Sequence, residues 1–89
     1  MKIKEGFILR KCGDVEIVVP VGTNVSTHKN LMITLSGSSR LLWDELVKGC
    51  DERHLVDTLL SVYEVEEDVV VRDVAAFVAK LRQAALLDD

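Results

Sequence analysis

The side chains best suited to metal binding or nucleophilic chemistry are two cysteines and two histidines. Cys50 and His54 are four residues apart, a spacing that can present two ligands to one metal ion. A closed zinc site needs four ligands and an open catalytic site needs three, so Cys12 and His28 would have to converge from distant segments. A Cys–His nucleophile also needs an orienting group and an oxyanion pocket, which nothing nearby supplies. We therefore predict no metal site and reduced, structural cysteines.

Other kinds of catalytic site are equally poorly represented. The five glycines are scattered and form no phosphate-binding loop. Glu66 and Glu67 lie side by side but lack the apolar setting that acid–base catalysis needs. Ser36, Ser38 and Ser39 are explained more simply as helix-capping residues than as nucleophiles. We predict no catalytic residue and no cofactor, and hence a protein that is not an enzyme.

Composition limits the class of protein further. A chain of 89 residues has room for one hydrophobic core, so we expect a single domain over residues 1–89. The longest apolar runs are far shorter than a membrane span, and residues 1–6 lack the apolar segment of a secretion signal. We expect a cytoplasmic protein without membrane contact. The net charge of −4 is unfavourable for binding nucleic acid.

The N-terminal residues have the pattern of a β-hairpin. Residues 7–12 and 15–21 are rich in Ile, Leu and Val. They flank Gly13-Asp14, a pair suited to a two-residue turn with the glycine at positive φ. The polar residues 22–30 predict a loop.

A third strand is predicted after this loop. The apolar residues Leu31, Ile33 and Leu35 alternate with Met32 and Thr34. In a strand, this alternation places the first three side chains on the core face and the other two on the opposite face.

After residue 35 the period of the apolar residues changes from two to about 3.6, which predicts three helices. Ser36 is expected to cap the first helix and Gly49 to end it. Asp51 is expected to cap the second helix. The third begins with acidic residues 66–68, whose charge complements the helix dipole. The three apolar stripes are, in order, Leu42, Trp43, Leu46 and Val47; Leu55, Val56, Leu59, Leu60 and Tyr63; and Val70, Val74, Phe77, Val78, Leu81 and Ala85.

These patterns together predict an α+β fold in which a three-stranded antiparallel N-terminal sheet is followed by three helices. The two connections between the helices are tight. Such an arrangement is compatible with a winged helix-turn-helix domain whose strands form the wing.

The order of the motifs carries a family resemblance. A strand at Leu31–Leu35 and a small polar segment at 36–38 precede three apolar helical motifs, Leu42-Trp43-x-x-Leu46, Leu55-Val56-x-x-Leu59-Leu60-x-x-Tyr63 and Asp73-Val74-x-x-Phe77-Val78-x-x-Leu81, and then Ala85-Leu86-Leu87. This set resembles the PqqD family, small proteins named for pyrroloquinoline quinone biosynthesis. Segments 4–10 and 20–22 resemble it too. Two departures concern capping and chain termination: the usual Asn-Glu-Thr is missing before the first helix, and Ala85 replaces a frequent glycine.

The resemblance implies a function in peptide modification. Such a domain binds the leader segment of a ribosomally made precursor peptide and presents it to a modifying enzyme. That enzyme is often a radical S-adenosylmethionine enzyme, although other modifying enzymes also use this element. In the family, the leader adds as a strand along the third strand, in a groove walled by the third helix. An edge strand can do this because its backbone N–H and C=O groups are unpaired.

The expected site follows from that arrangement. Helical spacings of three and four place Val69, Asp73, Ala76 and Lys80 on one face of the third predicted helix, and Phe77 lies beside that face. The candidate peptide-binding residues are therefore Leu31, Met32, Ile33, Thr34, Leu35, Val69, Asp73, Ala76, Phe77 and Lys80.

Two competing functions stay open at this point. One is a DNA-binding winged-helix regulator, since a fold does not fix a function. Its recognition helix would carry Arg72, Lys80 and Arg82 against the acidic residues at its start, and a negative protein with so few basic groups would bind phosphate poorly. The other is a protein-interaction adaptor unrelated to peptide modification, which the sequence does not distinguish from a leader-binding protein.

Overall fold

The computed structural model describes residues 1–88; Asp89, the last residue of the predicted domain, lies outside them. This part of the chain contains five strands and four helices. In chain order they are β1 (Lys2–Ile3), β2 (Phe7–Cys12), β3 (Val15–Pro20), α1 (Asn24–Thr27), β4 (Thr34–Leu35), α2 (Ser38–Lys48), α3 (Glu52–Val62), α4 (Glu67–Gln83) and β5 (Leu87–Asp88).

The predicted hairpin is confirmed. β2 and β3 pair antiparallel, with Cys12 opposite Val15, so that Gly13 and Asp14 form a two-residue turn. Gly13 has φ 63°, and Asp14 has no positive φ. Positive φ at only the first central residue is typical of a type II′ turn, which matches the twist of the flanking strands.

The third strand is shorter than predicted. β4 adds antiparallel to β3 and completes a sheet of order β2-β3-β4, but its ladder contains only Thr34 and Leu35. The prediction of a strand over 31–35 was therefore too long. The reason is the preceding turn, because the Leu31 N–H donates to the His28 carbonyl at 3.2 Å. One further bond, from the Val18 N–H to the Ile33 carbonyl at 3.0 Å, continues the pairing beyond the ladder.

Three short elements were not predicted. β1 pairs antiparallel with β5, which joins the two ends of the described chain, and the Lys4 N–H extends this pairing to the Leu86 carbonyl at 2.8 Å. α1 lies in the predicted loop, where the Asn24 side chain donates to the carbonyls of Glu5 (3.0 Å) and Gly6 (3.2 Å). Elements of two to four residues are too short to show an apolar period, so the sequence carried no signal for them.

The start of α2 corrects one capping prediction. Gly37, not Ser36, occupies the N-cap position, with φ 56°. Ser36 lies one residue too early, and its backbone is instead tied to the Ser39 hydroxyl, which accepts from the Ser36 N–H (2.9 Å) and donates to its carbonyl (2.8 Å). Gly49, with φ 95°, ends the helix as predicted.

The other two helices begin close to their predicted positions. The Asp51 carboxylate accepts from the His54 N–H at 2.8 Å, so the predicted cap of α3 is confirmed. α4 begins at Glu67, with Glu66 at the N-cap and two acidic residues in the first turn. Glu67 also contacts the Arg53 guanidinium of α3 at 2.7 Å, which joins the two helices at this end.

The core lies between the three long helices and the inner face of the sheet. Most of the predicted stripe residues are buried there. Leu60 and Phe77 are partly buried against the core. Three others are exposed: Val47 by 48%, Tyr63 by 39%, and Ala85. Tyr63 and Ala85 lie beyond the ends of α3 and α4, where the helical period no longer applies. Within residues 1–88, no helix is both long and apolar enough to cross a membrane.

Ala85 holds an unusual backbone conformation. It is the one non-glycine residue at positive φ in the described chain, at 60°. The Leu86 N–H donates to the Leu81 carbonyl, and the Ala85 N–H to the Arg82 carbonyl, both at 3.0 Å. These two bonds define a Schellman motif, which usually places glycine at this position. Ala85, which stands where the resembling family often has glycine, is therefore held in a strained backbone conformation.

Replacing Ala85 with glycine is expected to stabilise the fold by about 0.5–1 kcal/mol. The left-handed conformation disfavours a side chain with a Cβ, and this outweighs the extra freedom that glycine gives the unfolded chain. Urea denaturation measures the change. Ala79→Gly, in the exposed interior of α4, is the control and should destabilise by about 1 kcal/mol. A loss of stability in both variants would contradict the role given to Ala85.

Candidate functional site

β4 has one free edge. It is the last strand of the β2-β3-β4 sheet, so β3 is its single neighbour. The bond between Val18 and Ile33 marks a hydrogen-bonded pair, and the next pair, Ile17 with Thr34, is then non-hydrogen-bonded. In an antiparallel ladder the backbone groups of such a residue point away from the partner strand. The N–H and C=O of Thr34 are thus directed to the free edge.

The side chains of this segment alternate as predicted. Ile33 and Leu35 are buried in the core, and Leu31 packs against it. Met32 is 85% exposed, and Thr34 is exposed on the same side. The segment is therefore anchored by one face while its edge stays accessible.

The neighbouring face of α4 forms a wall. Val69, Asp73, Ala76 and Lys80 are all exposed, whereas the core-facing stripe of the helix is buried. Phe77 is partly buried and packs against the core. Phe77 therefore contributes to the edge of the core, and its place in the groove stays a prediction.

Two clefts lie where the strand segment and α4 face each other. One, of about 610 Å³, is bounded by Leu31–Ile33, by Lys80 and by the loop at 26–30. The other, of about 450 Å³, is bounded by residues 36–38 together with Val69 and Asp73. We refer to the surface between residues 31–38 and the Val69–Lys80 face of α4 as the groove.

The structure brings most of the predicted site residues to the groove and adds others. Leu31, Met32, Ile33 and Lys80 line the first cleft, and Val69 and Asp73 line the second. Neither cleft is lined by Thr34, Leu35, Ala76 or Phe77, which lie in the chain between the residues that line the two clefts. The sequence missed several lining residues that tertiary packing brings in from loops and helix ends: His28, Lys29, Tyr63, Val65, Gln83 and Ala84.

The cysteines and histidines do not form a joint site. The His54 Nε2 atom contacts the Glu45 Oε1 atom at 3.0 Å, and burial raises the pKa of the Cys50 thiol, which disfavours the thiolate that metal binding requires. His28 packs edge-on against the Phe7 ring at 4.9 Å. Among residues 1–88, no cluster of three or more His, Cys, Asp or Glu side chains is placed to hold a metal ion.

Comparison with protein families identifies the kind of domain. The model of the family "Coenzyme PQQ synthesis protein D (PqqD)" matches residues 24–87, well over half of the chain. The chain belongs to the PqqD family. The match includes the strand segment, all of α4 and therefore both walls of the groove. The predicted resemblance is confirmed.

Solved structures show the same fold over a longer range. TbiB1 in complex with the TbiA(β) leader peptide is 24% identical to this chain and superposes on it with a TM-score of 0.74. The match covers 99% of this chain and 95% of the TbiB1 chain. Lasso peptide synthetase B1, complexed with the leader peptide, has 19% identity and a TM-score of 0.72, covering 96% and 93%. At these identities the likeness shows the fold, including the N-terminal hairpin outside the family match. No curated protein sequence matches the chain.

Proposed function

We propose that this chain captures the leader segment of a ribosomally made precursor peptide as an added β-strand and presents it to a modifying enzyme. The observation that carries the proposal is the free edge of β4 beside the exposed face of α4. PqqD-family proteins act as peptide-recognition partners. The two solved structures compared above each contain a leader peptide.

Backbone pairing would supply affinity and the helix wall would supply selectivity. The N–H and C=O of Thr34 are available to an extended peptide without disturbing β3. Ala76, small and exposed, leaves space for a peptide side chain over Phe77. Because Ile33 and Leu35 are fixed in the core, the edge is held in place before the peptide arrives. Such preorganisation lowers the entropic cost of binding.

The proposed role is delivery rather than catalysis. Within residues 1–88 the side chains suited to chemistry do not converge, and family members are partners of enzymes. The partner we propose is a peptide-modifying enzyme, and the family resemblance supports a radical S-adenosylmethionine enzyme as one candidate. We place this function in the cytoplasm, where ribosomal precursors are made.

DNA binding receives less support from the charges of α4. Arg82 contacts Glu52 at 3.7 Å, and Arg72 lines a shallow surface with Glu67 and Asp68. Carboxylates near both arginines oppose phosphate binding, as does the net charge of −4.

The direct test uses leader segments of precursor peptides encoded near the gene for this chain. Each is labelled and titrated with the protein by fluorescence anisotropy. Saturable one-to-one binding of a leader, but not of its core segment, supports the proposal. Failure of every such leader to bind, together with a neighbouring modifying enzyme that works equally well without the chain, would contradict it.

Replacing Thr34 with proline is expected to weaken leader binding by about tenfold or more. Proline removes the N–H at the free edge and places a ring where the added strand must pair. No bond to β3 is lost, because the Thr34 N–H is directed to the free edge. The anisotropy titration measures the effect.

Thr34→Val is the matched control, since it keeps the N–H and nearly the same shape. It should bind as the original chain does. If both variants bind alike while their denaturation curves match the original, the leader does not pair at Thr34.

A further inference from the structure

The end of the groove near residues 36–38 is negatively charged. Asp73 lines this cleft, and among the described residues it has no ion-pair partner. Asp44 and Asp57, on α2 and α3, are each paired with an arginine. The exposed Glu64 lies in the chain between Tyr63 and Val65, which line the same cleft.

The opposite end of the groove is positively charged. Lys80 and Lys29 both line the cleft beside Leu31–Ile33. Neither has a carboxylate partner within the described part of the chain, although carboxylates outnumber basic residues in this protein. Two unpaired lysines at one end and an unpaired aspartate at the other make the groove positive at the first end and negative at the second.

The distance between these charges matches an extended peptide. Asp73 and Lys80 are seven residues apart, about 10 Å along the helix axis. Side chains on one face of a strand recur every second residue, about 6.8 Å apart, so residues i and i+4 span about 13.6 Å. The flexible lysine side chain makes up the difference. Residue i+2 then lies over Ala76 and Phe77, midway between the charges.

We infer that the groove selects a charge-ordered peptide, with a basic residue beside Asp73, an apolar residue over Ala76 and Phe77, and an acidic residue beside Lys80 and Lys29. This inference rests on the proposed function and specifies its ligand.

The sheet also sets the order of these residues. All strands of β2-β3-β4 are antiparallel, and antiparallel pairs are the more frequent kind. A peptide antiparallel to β4 begins beside Gly37 and ends beside Leu31. Its recognition pattern, from N- to C-terminus, is therefore basic-x-apolar-x-acidic.

The experiment can be carried out without the natural leader. A displayed library of random peptides is selected on the immobilised full chain, and peptides that also bind the Ala76→Trp variant are discarded. The best remaining peptide is synthesised in two forms, as selected and with its basic and acidic residues exchanged. The exchanged form is expected to bind about tenfold more weakly, because two favourable contacts become repulsive.

The protein is altered in the same way. The double variant Asp73→Lys/Lys80→Asp keeps the net charge and changes two exposed residues, and it should prefer the exchanged peptide. The control is Lys11→Asp/Asp14→Lys at the exposed tip of the β2-β3 hairpin, which should leave the preference unchanged. The preference should also weaken at high salt, which screens exposed charges.

The other possible results distinguish failure of the charge order from failure of the proposed function. Groove-binding peptides whose two forms bind equally would overturn the charge order and leave the proposed function standing. Preference for acidic-x-apolar-x-basic would overturn the order inferred from the antiparallel sheet. If every enriched peptide also binds the Ala76→Trp variant, the groove is not a peptide site, and the proposed function fails with the inference.

Discussion

Replacing Ala76 with tryptophan is expected to weaken leader binding by at least about thirtyfold, the ~2 kcal/mol typical of a central interface residue. An added strand needs a space about 4.8 Å wide beside β4. The indole side chain would occupy that space between the strand edge and α4. Because Ala76 is exposed, the fold itself should be preserved.

Ala75→Trp is the matched control. Ala75 is also an exposed alanine of α4, but it lies on the surface that contains Val71 and Arg72, away from the groove. It should bind the leader normally. Anisotropy titration of both variants, with circular dichroism to verify folding, makes the comparison. Equal weakening by the two tryptophans would mean that the leader does not bind in the groove.

Replacing Leu35 with alanine is expected to destabilise the fold by about 3–5 kcal/mol. Leu35 is 1% exposed, and truncating such a side chain removes buried contacts and leaves a cavity. For a small domain this is a large part of the total stability, so a substantial unfolded fraction is expected. Leader binding should fall with it, since the same residue anchors β4.

Met32→Ala provides the comparison in the same segment. Its side chain is 85% exposed, and substitutions at such positions usually change stability by less than about 0.5 kcal/mol. Urea denaturation of both variants tests which side chains of residues 31–35 face the core. Similar losses from the two changes would show that the alternation between core and free face is wrong.

Those parts of the fold that have a sustained apolar period were predictable from sequence. The hairpin β2-β3 and the helices α2, α3 and α4 were found within about two residues, because each buries one face over several turns or strand residues. β1 and β5 depend instead on pairing with each other, and the segment of α1 is held by hydrogen bonds from Asn24 to residues 5 and 6; both sets of contacts form only on folding. The error at Ser36 has a similar origin: a glycine with positive φ moved the start of α2 by one residue.

The candidate site divides in the same way. Helical spacing placed Val69, Asp73, Ala76 and Lys80 on one face of α4, and the family resemblance made that helix a wall of the groove. The free edge of the third strand was expected from the family resemblance and not from a local pattern, since it depends on strand order. His28 and Lys29 were likewise missed because a turn before β4 brings their loop to the groove.

Amide chemical-shift mapping during titration with a leader peptide tests whether the leader binds in the groove, because it reports the position of the ligand without altering the protein. The largest changes are expected at Leu31–Leu35 and along Val69–Lys80, with the tip of the β2-β3 hairpin nearly unchanged. Changes concentrated in that hairpin or on α3, with both groove segments silent, would contradict binding in the groove.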